Sequence, residues 1–137
     1  MEYLEKTPTI DELVKNNDEL AHIFSLNIKC QNGYVYYVHH HYMLKRATYD
    51  GKEIITLYKS PFCKDEGWYR NEYYYLYIDE IADGYVEFVE LYVFQNDYGE
   101  RRTYVWRKVK TDGSESAINI GATVSEEKWQ RIYKIFK

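Results

Sequence analysis

The sequence predicts an α+β fold: a single antiparallel β-meander of five to six strands, twisted or partly closed, with an N-terminal helical segment and a C-terminal helix packed on one face. Three observations predict it. Of the 17 tyrosines, 15 fall between Tyr34 and Tyr104, in segments also rich in Val, Ile and Thr, residues that suit a pleated, half-buried surface. Turn residues break those segments at short intervals, at Asn32-Gly33, Asp50-Gly51, Asp83-Gly84 and from Asn96 to Gly99. Spacings this short favour hairpins, because parallel strands need crossovers of a dozen residues or more. At both ends of the chain, apolar residues instead recur at helical spacing.

In chain order, residues 1–24 read as helix. Thr9 and Glu12 form a capping box, and Ile10, Leu13, Val14, Leu20, Ala21 and Phe24 carry the apolar stripe. Asn16-Asn17-Asp18 weakens the middle, so one bent helix or two short ones fit, with Asp18 as a second cap. Strands are expected near 26–31, 34–47, 53–59, 68–79, 85–95 and 101–110, the sheet spanning 26–110. Asn32-Gly33 and Asp50-Gly51 are type I′ hairpin signals. A polar loop follows at 112–116, then a short strand over 117–120. The helix expected over 124–136 starts at Thr123 or Ser125, with Glu126 and Glu127 in its first turn and a stripe of Trp129, Ile132, Tyr133 and Phe136.

Composition bounds the function. A chain of 137 residues, 45% hydrophobic and 29% charged, builds one core and buries about 68–70% of its unfolded surface, so 1–137 is expected to be a single domain. No run approaches the ~20 apolar residues of a membrane helix. Met1 to Lys6 lack the basic-then-apolar order of a secretory signal, and the expected compartment is the cytoplasm. Cys30 and Cys63 are expected as free thiols, with a disulfide between them as the alternative. A net charge of −4 argues against nucleic acid as a general partner. Charge is unevenly placed, however. Residues 79–100 hold seven acids and no base, and residues 101–110 hold five bases and no acid.

Three constellations carry chemistry. His39 and His41 share a face if 34–47 is one strand, and two imidazoles at that spacing suit a metal ion, although no metal or other cofactor is expected. No nucleophile elbow or phosphate-binding loop appears. In the basic strand, alternation sets Arg102, Tyr104, Trp106, Lys108 and Lys110 on one face, with Arg101, Val105, Arg107 and Val109 on the other. Aromatics among cations suit base stacking or an interface hot spot. The plainer expectation is cross-strand charge pairing, with Glu87 opposite Lys108 or Lys110. In the third constellation Tyr69, Tyr73, Tyr75 and Tyr77 share one face, and Trp68, Tyr74, Leu76 and Ile78 the other. The first of these faces has the composition of binder surfaces, and the second reads as core.

The function expected from these residues is a small non-enzymatic binding protein that occludes a macromolecular partner, a protein before any other, through an aromatic and charged sheet surface. Phage or mobile-element inhibitors, anti-defence proteins among them, and immunity proteins share this size and build, which is analogy only. The alternative is a small-ligand or nucleotide binder with an aromatic pocket and Arg102, Arg107 or Lys108 holding an anionic group. A metal-dependent enzyme using His39 and His41 ranks third. A symmetric homodimer through an uncovered sheet face or edge strand is also expected, because a half-apolar sheet needs cover.

Overall fold

Thr9 opens the first helix as the capping box requires: its hydroxyl accepts the Glu12 N–H and donates to the Glu12 carboxylate. In the computed structural model, which describes residues 7–61, 64, 65 and 70–136, α1 spans Ile10–Asn16. A 3-10 turn follows at Asp18–Leu20, capped by the Asn17 side chain and not by Asp18. A second turn, Ser25–Asn27, leads into β1 (Ile28–Gln31), β2 (Tyr34–His39), β3 (Met43–Thr48) and β4 (Ile54–Lys59). Then come β5 (Lys64–Asp65), β6 (Arg70–Ala82), β7 (Tyr85–Asn96), β8 (Gly99–Lys110) and β9 (Ile118–Asn119), and α2 (Glu126–Ile135) ends the fold. Ser125 caps α2 by accepting the Lys128 N–H. Cys63, Trp68 and Tyr69 lie outside the described residues, and with them the disulfide alternative.

The α+β class holds, but the single meander does not. The strands form two antiparallel sheets, β1-β2-β3-β4 and β5-β6-β7-β8-β9. The break inside the expected 34–47 strand falls at His40 and His41, whose φ values of 53° and 71° turn the chain into a hairpin. Neither is a glycine, so no turn letter marks the place, although histidine visits the left-handed region more readily than most residues. Asn32-Gly33 does form the expected I′ corner, with φ positive at both residues, and Asp83-Gly84 forms another. Asp50-Gly51 does not. There the loop is longer, held by the Asp50 carboxylate accepting from Thr48 Oγ1 and Lys52 N. Gly51 must stay bare, because a Cβ on it would lie 2.2 Å from the Asn16 carbonyl oxygen.

The two helical segments cover different sheets, which corrects the expectation of one shared face. Leu13 and Leu20 pack on Val35, Tyr37 and Ala47 of the first sheet. Its other face (Tyr36, Val38, Leu44, Leu57) meets Leu76, Ile78, Val86, Phe88 and Val109 of the second. Ile132 of α2 lies on the far face of that second sheet, over Val89, Trp106 and Ile120. The layers therefore run helix, sheet, sheet, helix. β2 is buried on both faces, which explains its run of Tyr and Val without polar alternation.

Two polar devices tie the sheets together. Glu90, 5% exposed, accepts from Tyr58 OH at 2.6 Å, from Arg107 Nε at 3.1 Å and from Ser60 Oγ. Burial, and next the Glu90 carboxylate, push the Tyr58 hydroxyl up, so it stays a donor. The second device is the buried Asn27, whose amide donates to Leu76 O and accepts from Ile78 N, both at 3.1 Å. It occupies backbone groups on β6 that a neighbouring strand would otherwise take.

Candidate functional site

Lengths decide where α2 ceases to cover the second sheet. α2 has 10 residues and is about 15 Å long. β6 and β7 have 13 and 12 residues and extend about 40 Å. Beyond the end of α2, the outer face of β6 to β8 forms a groove of about 590 Å3 lined by Tyr73, Tyr75, Tyr77, Leu91, Val93 and Arg102, with Ile135 and Phe136 at its helical end. Register places Tyr73 beside Val93, Tyr75 beside Leu91 and Tyr77 beside Val89. Leu91 and Val93 are buried, and the three tyrosines are half-buried. The Tyr73 and Tyr75 rings stack at 6.5 Å, and Tyr77 meets Phe136 edge-on at 4.4 Å. Burial raises the Tyr77 hydroxyl.

The tyrosine row of the sequence is thus one surface, apart from Tyr69, which lies outside the described residues. The row continues sideways. Phe24, 55% exposed, meets Tyr77 at 6.3 Å, and His41 meets Tyr75 at 5.6 Å. Tyr74, Leu76 and Ile78 take the opposite face, and Leu76 and Ile78 are core, as alternation implied.

The basic strand is divided among several tasks. Trp106, expected on an exposed platform, is 0% exposed; it lies under α2, with Trp129 edge-on at 5.8 Å. A residue so buried has no face to offer a partner. Tyr104 packs between Tyr133 and Phe136 at 5.2 and 5.3 Å. Arg102 Nη1 donates to the Phe136 carbonyl at 2.8 Å and Nε to Glu100 at 3.2 Å, a cation at a helix C-terminus, where the dipole favours it. Lys108 lies 4.2 Å over the Tyr85 ring, and Lys110 pairs with Glu115 at 3.4 Å. Arg107 is on the inner face with Glu90. Of the three proposed anion-holding residues, Arg102 alone lines the groove.

Glu87 stands opposite Lys108 in register, yet its carboxylate turns to Lys128 of α2 at 3.1 Å. Lys128 also reaches Glu80 at 2.7 Å, and Arg131 binds Asp79. Three acids of the run, Asp79, Glu80 and Glu87, are therefore paired with the helix, a contact that pattern within the strands does not reveal. Burial, with a hydrogen bond to Glu80, raises the Glu87 carboxyl, whereas the Lys128 hydrogen bond lowers Glu80. Burial works against the charge on Lys128, but the carboxylates outweigh it and push the amine up to about 12. Oxygens of Asp79, Glu80 and Glu87 lie within 4.8 Å of one another, and the Lys128 ammonium already serves them as cation.

His39 and His41 do not share a strand face, since His41 belongs to the turn. His39 is half-buried, its Nδ1 3.8 Å from Glu19 Oε2. Burial lowers the imidazole. Glu19 would be raised by burial, but hydrogen bonds from Tyr37 and Lys45 outweigh it and hold the carboxyl low. Residues missed by sequence reasoning include Phe24, Phe136 and Tyr98. Tyr98 is 97% exposed at the tip of the β7–β8 hairpin, and its place inside a turn motif hid it.

No protein-family model matches the chain, and no curated protein or solved structure is significantly similar to it. Among the described residues, no helix is long and apolar enough to cross a membrane.

Proposed function

We propose that this is a small non-enzymatic binding protein that occludes a protein partner through the Tyr73–Tyr75–Tyr77 groove. The observation that carries the proposal is the groove itself: a buried aliphatic floor flanked by half-buried tyrosines, at the end of a sheet that its own helix is too short to cover. Tyrosines present large contact area at low entropic cost, with a hydroxyl for orientation. Tyr98 and the exposed Arg101 at the hairpin end belong to residue types enriched in interface hot spots. An extended partner segment with apolar side chains fits the floor, and its polar backbone fits the tyrosine hydroxyls.

A second reading places a small anionic ligand in the same groove. Its volume falls within the about 300–1,000 Å3 of ligand sites, and Arg102 offers one cation. One experiment separates the two: capture from host lysate with mass spectrometry of protein and small-molecule eluates, using the native chain, Tyr75→Ser and Lys110→Ala. The proposal expects a protein retained by the native chain and Lys110→Ala and lost with Tyr75→Ser. A protein retained equally by all three refutes the groove. A small molecule that follows Tyr75 in place of a protein establishes the second reading.

A further inference from the structure

The second sheet has two long flanks, and they end differently. On β6, Asn27 takes Leu76 O and Ile78 N, and the His41 carbonyl accepts Leu76 N at 2.8 Å. β8 is open over much of its length. Among the described residues, β9 pairs with it only at Arg107 and Lys108, and Ile120 N donates to the Trp106 carbonyl at 2.8 Å. That carbonyl points away from β7. By the two-residue period of a strand, the N–H and C=O of Glu100, Arg102 and Tyr104 point the same way. We propose that this open stretch, residues 99–105, pairs antiparallel with the same stretch of a second copy of the chain, joining two five-stranded sheets into one.

Charge selects the register. With Arg101 on the two-fold axis, Glu100 of each copy stands opposite Arg102 of the other. Within one copy Glu100 already holds Arg102 Nε at 3.2 Å, so the four side chains form a closed ring of alternating sign on the outer face. Opposite charges directly across a ladder stabilise it, and like charges weaken it. Sliding the copies by two residues sets Arg102 against Arg102 in one direction and Glu100 against Glu100 in the other. A further slide the first way brings the incoming Glu100 to the place beside Trp106 that Ile120 already fills.

The surroundings agree with that register. It brings Tyr98, 97% exposed at the hairpin tip, beside Tyr104 of the other copy. There a hollow of about 510 Å3 lies between β8, the 119–123 loop and α2, lined by Tyr104, Val105, Trp106, Ile120, Thr123 and Trp129. Exposed Tyr133 stacks on Trp129 at 5.7 Å and meets Tyr104 edge-on at 5.2 Å. The open edge is thus bordered by aromatic surface that a tyrosine ring from the second copy would cover. Main-chain bonds supply affinity in strand addition, and hollows for individual side chains supply specificity.

One contact opposes the pairing. The two Arg101 side chains meet across the axis on the inner face, a like-charge contact. The ladder is also short, so the dimer is expected to be weak and in equilibrium with monomer. A two-fold axis perpendicular to the sheet sets both tyrosine grooves on the same side. The inference goes beyond the groove proposal and stands without it.

The test is analytical sedimentation of the full chain, carrying no affinity tag, over a range of concentrations with no other protein present. A monomer–dimer equilibrium with Kd of about 10–100 μM is expected. Glu100→Arg makes every charge of the ring positive and is expected to weaken the dimer at least about tenfold. Adding Arg102→Glu restores the alternation and should return Kd to within about threefold of the native value. Should the charge variants misfold, amide exchange of the native chain decides. The Glu100, Arg102 and Tyr104 amides should exchange more slowly above the dimer Kd than at about a hundredth of it. The proposal is overturned by a chain that stays monomeric up to about 1 mM, by a dimer indifferent to Glu100→Arg or not rescued by the double change, or by exchange at those amides that ignores concentration.

Discussion

Two halves of one sheet face contrast. Under α2, the outer face of β6 to β8 is Val89 and Trp106, closed by Ile132 and Trp129 and ringed by the Lys128 and Arg131 ion pairs. Beyond the helix end, the same strands carry Leu91 and Val93 with Tyr73, Tyr75 and Tyr77, and no described element closes over them. The covered half uses side chains that must be dry. The open half uses side chains that tolerate both water and a partner. Where α2 stops, residue type changes, from Val89 and Trp106 to a row of half-buried tyrosines beside Leu91 and Val93.

The largest expected effect breaks the covered half. Trp106→Ala removes a fully buried ring and is expected to cost about 3–5 kcal/mol, read as a fall in the denaturant midpoint with an unchanged slope. Lys128→Met should cost about 1–3 kcal/mol, because it leaves Glu80 and Glu87 facing each other without their shared cation. Raising the salt concentration should return part of that loss, which a packing defect would not.

Alkaline titration probes both halves together with Tyr74 on the inner face. Folding raises Tyr77 and Tyr74 above 10.0, and raises Lys128 from 10.5 to about 12. Each folded value exceeds its unfolded one, so the unfolded chain loses protons first. These contributions are whole below about pH 10 and fade as the pH rises toward 12. Unfolding free energies measured from pH 8 to 11 should fall steeply above 10, and less steeply in Lys128→Met. A flat profile would remove the electrostatic account of the covered half. The smallest stability effect belongs to the open half. Tyr75→Ser should cost less than about 1 kcal/mol while abolishing partner capture. A stability loss like that of Trp106→Ala would make the groove core.

Local chemistry was legible: the Thr9–Glu12 box, the Ser125 cap as one of two candidates, the Asn32-Gly33 corner, and the alternation that puts Arg107 and Trp106 on opposite faces. What alternation cannot tell is which face meets solvent. Trp106 looked like a platform because α2, whose stripe was evident, has no sequence-local sign of where it docks. The same limit hid the Glu87–Lys128 contact, which joins residues 41 apart. The β2–β3 hairpin was illegible for another reason, since it depends on His40 and His41 adopting a conformation that sequence habit assigns to Gly or Asn; the two sheets divide elsewhere, between β4 and β5. The tyrosine row needed least correction, because strand period alone sets Tyr73, Tyr75 and Tyr77 side by side.

Asn27 has a consequence for how the chain behaves in a crowd. β6 is rich in tyrosine, a strong strand former, and an unsatisfied edge on such a segment is a template on which further copies can align. The Asn27 amide fills that role from within the same molecule, matching the donor and acceptor of the strand with an acceptor and donor of its own. The sheet stops there because a side chain imitates the next strand, and those two backbone groups are no longer offered to another copy.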